Sequence, residues 1–187
     1  AAFKAGVRLA QLREKDLCAK ELLSLAIEVK ALATRYNARL LINDRADIAL
    51  IAGADGVHLT SKSYSPKEAR SLLGAGKLIG VSTHSVEEAL KAQEDGADFV
   101  TFGPVFPTAS KAGMGEPLGI DRLREAVQKL SIPVYGLGGL DEINITEVVG
   151  QGASVALIAA IMASNNPGSA AQKLLAAIES SKQITRR

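Results

Sequence analysis

The sequence alternates between short apolar runs and longer helical patterns, and this alternation limits the fold more than any other feature. Related phrases introduce three of the apolar runs: Gly53-Ala54-Asp55-Gly56-Val57, Gly96-Ala97-Asp98-Phe99-Val100 and Gly152-Ala153-Ser154-Val155-Ala156. In each phrase a glycine ends a helical pattern and a strand begins within a few residues, which is typical of a connection from helix to strand. Repeated units of strand and helix predict a parallel sheet covered by helices.

Seven runs predict strands, at residues 7–12, 39–42, 56–59, 78–82, 99–102, 133–137 and 154–158. Helical patterns occupy residues 19–36, 46–52, 121–130, 142–149 and 169–180, and residues 182–187 are expected to fray. Two further helices are predicted to begin with capping boxes, at Ser65 with Glu68 and at Ser85 with Glu88.

The strand count leaves two parallel architectures open, a doubly wound open sheet and a (β/α)8 TIM barrel. Seven strands are one short of a barrel, and residues 1–6 have the pattern of a last helical turn that ends at Gly6. We therefore expect a barrel that lacks its first strand in this sequence. All 187 residues are assigned to one domain, since neither a linker nor a low-complexity stretch interrupts them.

Composition narrows the class of function. The net charge is +2, from 22 basic and 20 acidic residues without long runs of either sign, which argues against nucleic acid as a partner. No apolar stretch is long enough to cross a membrane. The single cysteine, Cys18, cannot form an internal disulfide and is interpreted as a small packed residue, so a cytoplasmic location is the default.

In a barrel the residues that follow each strand form the site. On and after the first strand, every second residue is polar: Gln11, Arg13 and Lys15. Because alternate residues of a strand point to the same face of a sheet, all three side chains would point to one face. Two cations and an amide suit a phosphate or diphosphate. The alternative is that Arg13 and Lys15 pair with Glu14, Asp16 or acids on other strands.

Asn43 and Asp44 follow the next strand, and a carboxylate in this position could hold Mg²⁺ together with water and phosphate oxygens. The alternative role for Asp44 is to cap the helix at residues 46–52. His58 lies within a strand and is interpreted as a core or hydrogen-bonded histidine rather than a catalyst. His84 has no partner at metal-binding spacing.

Two glycine-rich regions predict anion contacts. Thr108, Ser110 and Lys111 follow the fifth strand in a loop rich in glycine and proline, where hydroxyls and an ammonium could hold an anion, although an ordinary surface loop is the alternative. Gly138-Gly139 and the helix start near Ile158 and Ala159 would allow a phosphate to approach backbone amides. Two anion sites on one mouth suggest a reaction that joins two phosphorylated small molecules.

The chain resembles the superfamily of thiamine phosphate synthases and thiazole tautomerases (TenI-like). The resemblance runs in order over nearly the whole chain, through the segments Gln11-Leu12-Arg13-Glu14-Lys15, Leu41-Ile42-Asn43-Asp44-Arg45, Gly53-Ala54-Asp55-Gly56-Val57-His58-Leu59, Gly80-Val81-Ser82-Thr83-His84, Phe102-Gly103-Pro104-Val105-Phe106-Pro107-Thr108, Ser110-Lys111 and Gly138-Gly139.

The resemblance implies a transferase that couples an aminopyrimidine diphosphate with a thiazole phosphate in thiamine biosynthesis and releases diphosphate. It implies pyrimidine diphosphate contacts at Gln11, Arg13, Lys15, Asn43, Ser82 and Lys111, with Arg13, Lys15, Ser82 and Lys111 as the catalytic set. It implies a thiazole phosphate site at Thr108, Ser110, Gly139, Ile158 and Ala159, and Asp44 as a magnesium ligand. A homodimer is a further expectation.

Two departures keep a second function open. Synthases usually carry a second acidic magnesium ligand where this chain has Ser63, with Lys62 beside it. A single carboxylate predicts weak magnesium binding that depends on substrate. The run from Ser61 to Pro66 resembles the tautomerase branch, yet the catalytic histidine of that branch is replaced by Pro104. The alternative is therefore a thiazole tautomerase or a binder of thiazole phosphate without catalysis.

Overall fold

The computed structural model describes residues 1–108 and 116–185, and the side chains through residue 182. The strands are β1 (Leu9–Leu12), β2 (Arg39–Asn43), β3 (Gly56–Leu59), β4 (Leu78–Thr83), β5 (Phe99–Phe102), β6 (Val134–Leu137) and β7 (Ser154–Ala156). The helices are α1 (Ala2–Ala5), α2 (Ala19–Arg35), α3 (Ala46–Ile51), α4 (Pro66–Leu73), α5 (Val86–Glu94), α6 (Gly119–Lys129), α7 (Ile145–Gly150), α8 (Ala159–Met162) and α9 (Pro167–Thr185).

The strands form one parallel sheet whose order follows the chain from β1 to β7. This order decides between the two predicted architectures, because a doubly wound sheet reverses direction at a switch point and a barrel does not. The seven predicted strands are therefore confirmed, and the fold is of the (β/α) barrel type. In such a fold every strand ends at the same mouth.

Alternation along the strands divides their side chains between two faces. Val57, Ile79 and Val100 point outward into the main core, where they pack against the helices. The opposite face lines the inside of the curled sheet and is more polar, with His58 and Ser82 among its residues. The inner face is thus the part of the sheet that can bind a polar ligand.

The repeated phrases that precede β3 and β5 have a shared role at the amino ends of the strands. Asp55 accepts hydrogen bonds from the Leu40 amide and the Lys30 ammonium, each at 2.7 Å. Asp98 does the same with the Ile79 amide and the Arg70 guanidinium, also at 2.7 Å. Each carboxylate therefore ties its strand to the preceding strand and to a helix, at the end opposite the mouth.

The predicted helix starts are confirmed in one case and corrected in the other. Ser65 accepts from the Glu68 amide and Glu68 accepts from the Ser65 amide at 2.7 Å, which is a complete capping box. Ser85 also accepts from the Glu88 amide, but the Glu88 carboxylate accepts from the His84 amide at 2.7 Å instead. The second capping box was therefore wrong in one of its two bonds, because the chain before Ser85 turns another amide toward the glutamate.

Three smaller expectations also change. Cys18 is exposed at the start of α2, so it is not the packed residue that the sequence suggested. Helix α9 continues to Thr185, past the point where fraying was predicted. Helix α7 begins at Ile145, three residues later than expected from residue 142, because Asp141 and Asn144 first form a turn closed by their side chains.

Within the described residues, none of the helices has the length and apolar character needed to cross a membrane.

Candidate active site

At the carboxyl end of β2 is a cluster that we call the acidic corner, made of Asn43, Asp44, Ser63 and Tyr64. Asp44 has φ 59°, a left-handed backbone conformation that Asn and Asp tolerate better than other residues with a side chain. Its amide donates to the His58 carbonyl on the neighbouring strand at 3.1 Å. This turn holds the carboxylate at the mouth.

Both carboxylate oxygens of Asp44 already accept a hydrogen bond. The Ser63 hydroxyl donates to Oδ1 in a very short contact, and the Asn43 amide donates to Oδ2 at 2.8 Å. The Tyr64 hydroxyl donates to the Asp44 backbone carbonyl at 3.0 Å, and burial raises the pKa of this phenol. The alternative role of Asp44 as a helix cap is excluded, since the residue at the cap position of α3 is Arg45, whose side chain pairs with Asp47.

Ser63 is itself fixed by the turn that follows β3. Its hydroxyl oxygen accepts from the Thr60 amide at 2.7 Å and lies 3.1 Å from the Thr60 hydroxyl. The serine therefore has its acceptor side occupied by Thr60 and its proton directed at Asp44. A hydroxyl in this position supplies Asp44 with a hydrogen bond, where a second carboxylate would supply a second negative charge.

Gln11 extends the acidic corner to β1. Its side-chain amide donates to the Asn43 Oδ1 at 2.9 Å, which leaves the Asn43 amide free to reach Asp44. The structure thus brings three of the predicted residues, Gln11, Asn43 and Asp44, into one hydrogen-bonded row across the mouth. Because Gln11 is exposed and Asn43 is only partly buried, this row is open to a ligand.

Arg13 and Lys15 lie beyond the end of β1, in an exposed segment between β1 and α2. The predicted alternation of their side chains does not hold there, because the strand ends at Leu12. The predicted alternative also fails, since neither cation forms an ion pair in the described part of the chain. Arg13 is close enough to His58 to contribute to lowering the pKa of that ring.

The inner face carries a second set of polar residues, His58, Thr101 and Ser82, which we call the polar chain. Thr101 Oγ1 lies 3.3 Å from His58 Nε2 and 3.4 Å from Ser82 Oγ. Burial lowers the pKa of His58 from 6.5 to about 4; the nearby Asp44 opposes the shift and Arg13 adds to it. The ring is only 4% exposed, and its Nδ1 has no hydrogen-bond partner among the described residues.

The other half of the mouth is built mainly from backbone, and we call it the glycine wall: residues 103–107 after β5 together with Gly138 and Gly139 after β6. The amides of Val105 and Phe106 donate to the carbonyls of Leu137 and Gly138, at 2.9 and 3.1 Å. A Cβ atom on Gly139 would overlap the Pro107 carbonyl and lie 2.8 Å from the Phe106 Cβ. The glycines therefore allow a close approach of the chain's own loop.

The other predicted site residues lie after β5 and β7, and the structure describes only some of them. Thr108 is partly buried at the end of the described loop, while Ser110 and Lys111 lie outside the described residues. Helix α8 begins at Ala159, as expected, and both Ile158 and Ala159 are exposed. The strand before them ends at Ala156, two residues earlier than predicted.

Comparison with known proteins fits this arrangement. The family model of thiamine monophosphate synthase matches residues 1–161. The chain belongs to this family.

Relatives and solved structures agree with the family match. A Geobacter sulfurreducens protein provisionally named thiamine-phosphate synthase is 55% identical over 94% of this chain and 83% of its own. A thiamine-phosphate synthase of Chlorobium phaeobacteroides is 42% identical over 92% of this chain and 84% of its own. The structure of thiamine phosphate pyrophosphorylase from Pyrococcus furiosus superposes with a TM-score of 0.90 at 31% identity, covering 96% of this chain and 87% of that one.

The acidic corner offers a limited set of ligands for a metal ion. The described residues contain no group of three or more His, Cys, Asp or Glu arranged to hold a metal. They do place one carboxylate beside amide and hydroxyl oxygens, which are the hard ligands that Mg²⁺ prefers. This set fits an ion that takes most of its ligands from water and phosphate.

Sequence reasoning missed Thr101 and Tyr64 as members of the mouth. Its interpretation of His58 as a core or hydrogen-bonded histidine is confirmed, because the side chain is buried and lies 3.3 Å from Thr101 Oγ1. One signal for the polar chain was present: Thr101 and Ser82 lie on strands whose inner-face positions would ordinarily be apolar in a packed barrel. Tyr64 gave no such signal, because its contact with the Asp44 carbonyl depends on the turn at Asp44.

Proposed function

We propose that this protein is a thiamine phosphate synthase, which couples an aminopyrimidine (hydroxymethylpyrimidine) diphosphate with a thiazole phosphate to form thiamine phosphate and diphosphate. The observation that carries the proposal is the hydrogen-bonded row from Gln11 through Asn43 to Asp44 at the mouth of a barrel of this family. In this reaction the bond between the pyrimidine methylene carbon and a diphosphate oxygen breaks, and the thiazole nitrogen forms a bond to the same carbon.

The diphosphate half of the reaction requires positive charge at the mouth. Arg13 and Lys15 supply it from the exposed segment after β1, where no acid of the described residues neutralises them. Lys111 is assigned to the same task by the resemblance alone. Charge that develops on the leaving diphosphate is stabilised best by groups that are already in place, so these cations and Ser82 form the proposed catalytic set.

The thiazole phosphate is assigned to the other half of the mouth. Thr108, Ser110, Gly139 and the amides near Ile158 and Ala159 are the proposed contacts. The placement of the glycine wall supports this, because Gly139 and Thr108 belong to two adjacent segments that are packed together. The two substrates would then meet across the inner face between the acidic corner and the glycine wall.

Magnesium is proposed as a cofactor that binds with the diphosphate substrate. Asp44 would be its protein ligand, and Ser63 replaces the second acidic ligand that the family resemblance leads one to expect. A bound Mg²⁺ would neutralise charge on the diphosphate oxygens. Since the carboxylate of Asp44 already accepts two hydrogen bonds, we expect little affinity for the ion without substrate.

Partners and location follow from the proposed reaction. Small phosphorylated pyrimidine and thiazole compounds are the proposed partners, without nucleic acid or membrane. A cytoplasmic location and a homodimer stay predictions.

The test is a coupling assay with both substrates, in Mg²⁺ and in excess EDTA. Asp44→Asn is the decisive variant, because asparagine tolerates the φ of 59° whereas Asp44→Ala would add a backbone cost. We expect Asp44→Asn to lower turnover by about 10²-fold, and Ser63→Asp to strengthen the dependence on magnesium. Asp47→Asn is the matched control, since the Asp47 carboxylate pairs with Arg45 and takes no part in the hydrogen-bonded row from Gln11 to Asp44, and it should keep wild-type turnover.

Two outcomes would overturn the proposal. The first is unchanged coupling in Asp44→Asn. The second is a wild-type protein that does not couple the substrates but isomerises a thiazole carboxylate phosphate without metal, which would establish the tautomerase alternative. Two sequence features favour this alternative: Ser63 in the place of an acid, and the resemblance of the run from Ser61 to Pro66 to the tautomerase branch.

A further inference from the structure

The polar chain spans three adjacent strands of the inner face, and a glycine makes it possible. His58 is on β3 and Thr101 on β5, with β4 between them. The ring reaches across β4 at Gly80, where an added Cβ would lie 2.7 Å from His58 Cδ2 and would overlap the Phe99 ring. The contact between His58 and Thr101 therefore depends on a residue without a side chain at position 80.

The direction of the hydrogen bonds follows from counting protons. A threonine hydroxyl has one proton to donate. Thr101 donates it to Ser82 Oγ at 3.4 Å, so the threonine oxygen must act as acceptor toward His58 Nε2 at 3.3 Å. The imidazole then carries its proton on Nε2, and Nδ1 presents a lone pair. This tautomer agrees with the absence of a partner for Nδ1 among the described residues.

Ser82 ends the chain. Its oxygen accepts the bond from Thr101, and no other partner of its hydroxyl is present in the described ranges. The serine proton is therefore available to an acceptor outside the protein. Ser82 is partly exposed on the inner face, in register with Thr101 on β5. This is the face between the two proposed substrate sites.

We propose that His58 and Thr101 are positioning residues, which hold the Ser82 hydroxyl so that it donates its proton to an oxygen of the diphosphate substrate. The inference rests on the proposed function, because it assigns Ser82 an anionic acceptor. A purely structural role for the polar chain would satisfy buried polar groups without any effect on how Ser82 meets the substrate.

A double-mutant cycle separates the two roles. Thr101→Val removes the hydroxyl at nearly constant shape, and Thr101→Ser keeps it as a matched control. We expect Thr101→Val to lower kcat about 10-fold with wild-type Ser82 and to have no further effect in a Ser82→Ala background, because interacting residues are not additive. Thr101→Ser should retain most of the activity. An equal loss from Thr101→Val in both backgrounds would overturn the proposal.

A second measurement does not require catalysis. The sequence contains two histidines, so nitrogen-15 NMR of the imidazole rings gives two sets of signals, and His84→Gln assigns the set from His58. We expect the neutral tautomer with the proton on Nε2. A proton on Nδ1 would overturn the hydrogen-bond direction even if the valine variant does not fold. Absence of coupling in the wild-type protein together with the expected tautomer would instead contradict the proposed function.

Discussion

The acidic corner and the glycine wall occupy the same mouth but are built in different ways. In the acidic corner, side chains from separate segments meet, as Ser63 meets Asp44 across 19 positions of sequence. In the glycine wall, backbone groups pair directly, as the Val105 amide does with the Leu137 carbonyl at 2.9 Å. The first arrangement can be changed one side chain at a time, whereas the second tolerates almost no added atom. We therefore expect changes in the wall to affect folding and changes in the corner to affect chemistry.

The largest effect is expected from Gly139→Ala. This change combines a φ of 65° with overlap against the Pro107 carbonyl, and it should lower the free energy of unfolding by about 4 kcal/mol. Gly53→Ala is the matched control, because Gly53 has the same φ of 65° with nothing within 4 Å of an added Cβ, and it should cost about 1 kcal/mol. Urea denaturation of both variants measures the difference. Equal costs would show that the wall is not tightly packed.

The next effect concerns the pH dependence of stability and arises from His58 in the polar chain. The pKa of His58 is about 4 in the folded protein and 6.5 when the ring is exposed, as in the unfolded chain. The unfolded chain therefore binds the proton more readily. Stability is then fully present above pH 6.5 and is lost as the pH falls toward 4. At about 1.4 kcal/mol per pKa unit, the upper limit of this loss is about 3.5 kcal/mol.

The measurement is the slope of unfolding free energy against pH in that window, for wild-type protein and for His58→Gln. The glutamine variant should flatten the slope even if it is less stable at every pH. Asp44 and Arg13 are the charged groups that act on the ring, and their effects oppose each other. An unchanged slope would mean that His58 is not held neutral in the folded state.

The smallest effect is expected from Ser63→Ala. It removes a donor to the Asp44 carboxylate and an acceptor for the Thr60 amide, in a partly buried site, and should cost about 1 kcal/mol. Ser61→Ala is the control, since Ser61 is exposed two positions earlier, and it should stay within about 0.5 kcal/mol of wild type. Thermal unfolding followed by circular dichroism can resolve the two. A neutral Ser63→Ala would show that the hydrogen bond to Asp44 adds no net stability.

The sequence predicted the fold well because the fold depends on local patterns. All seven strands were visible as short apolar runs, three of them introduced by a glycine phrase, and α1 was visible as a helical turn that ends at Gly6. The acidic corner was predicted only in part. Asp44 was visible as a residue after a strand, but its contact with Ser63 depends on a left-handed turn that the sequence does not specify. Gly139 was correctly predicted to permit a close approach, but the sequence does not say what approaches it. In the structure it is the chain's own loop at Phe106 and Pro107.

The paired carboxylates at the far end of the sheet also bear on the order in which the protein assembles. Asp55 reaches the Leu40 amide 15 positions back, and Asp98 reaches the Ile79 amide 19 positions back. Every strand pairs with its neighbour in sequence, so each new strand can dock on one that already exists. Closing short loops in succession costs less entropy before contacts form than joining distant segments does. The sheet can therefore grow from any pair of neighbouring units, and no distant segment has to be joined first.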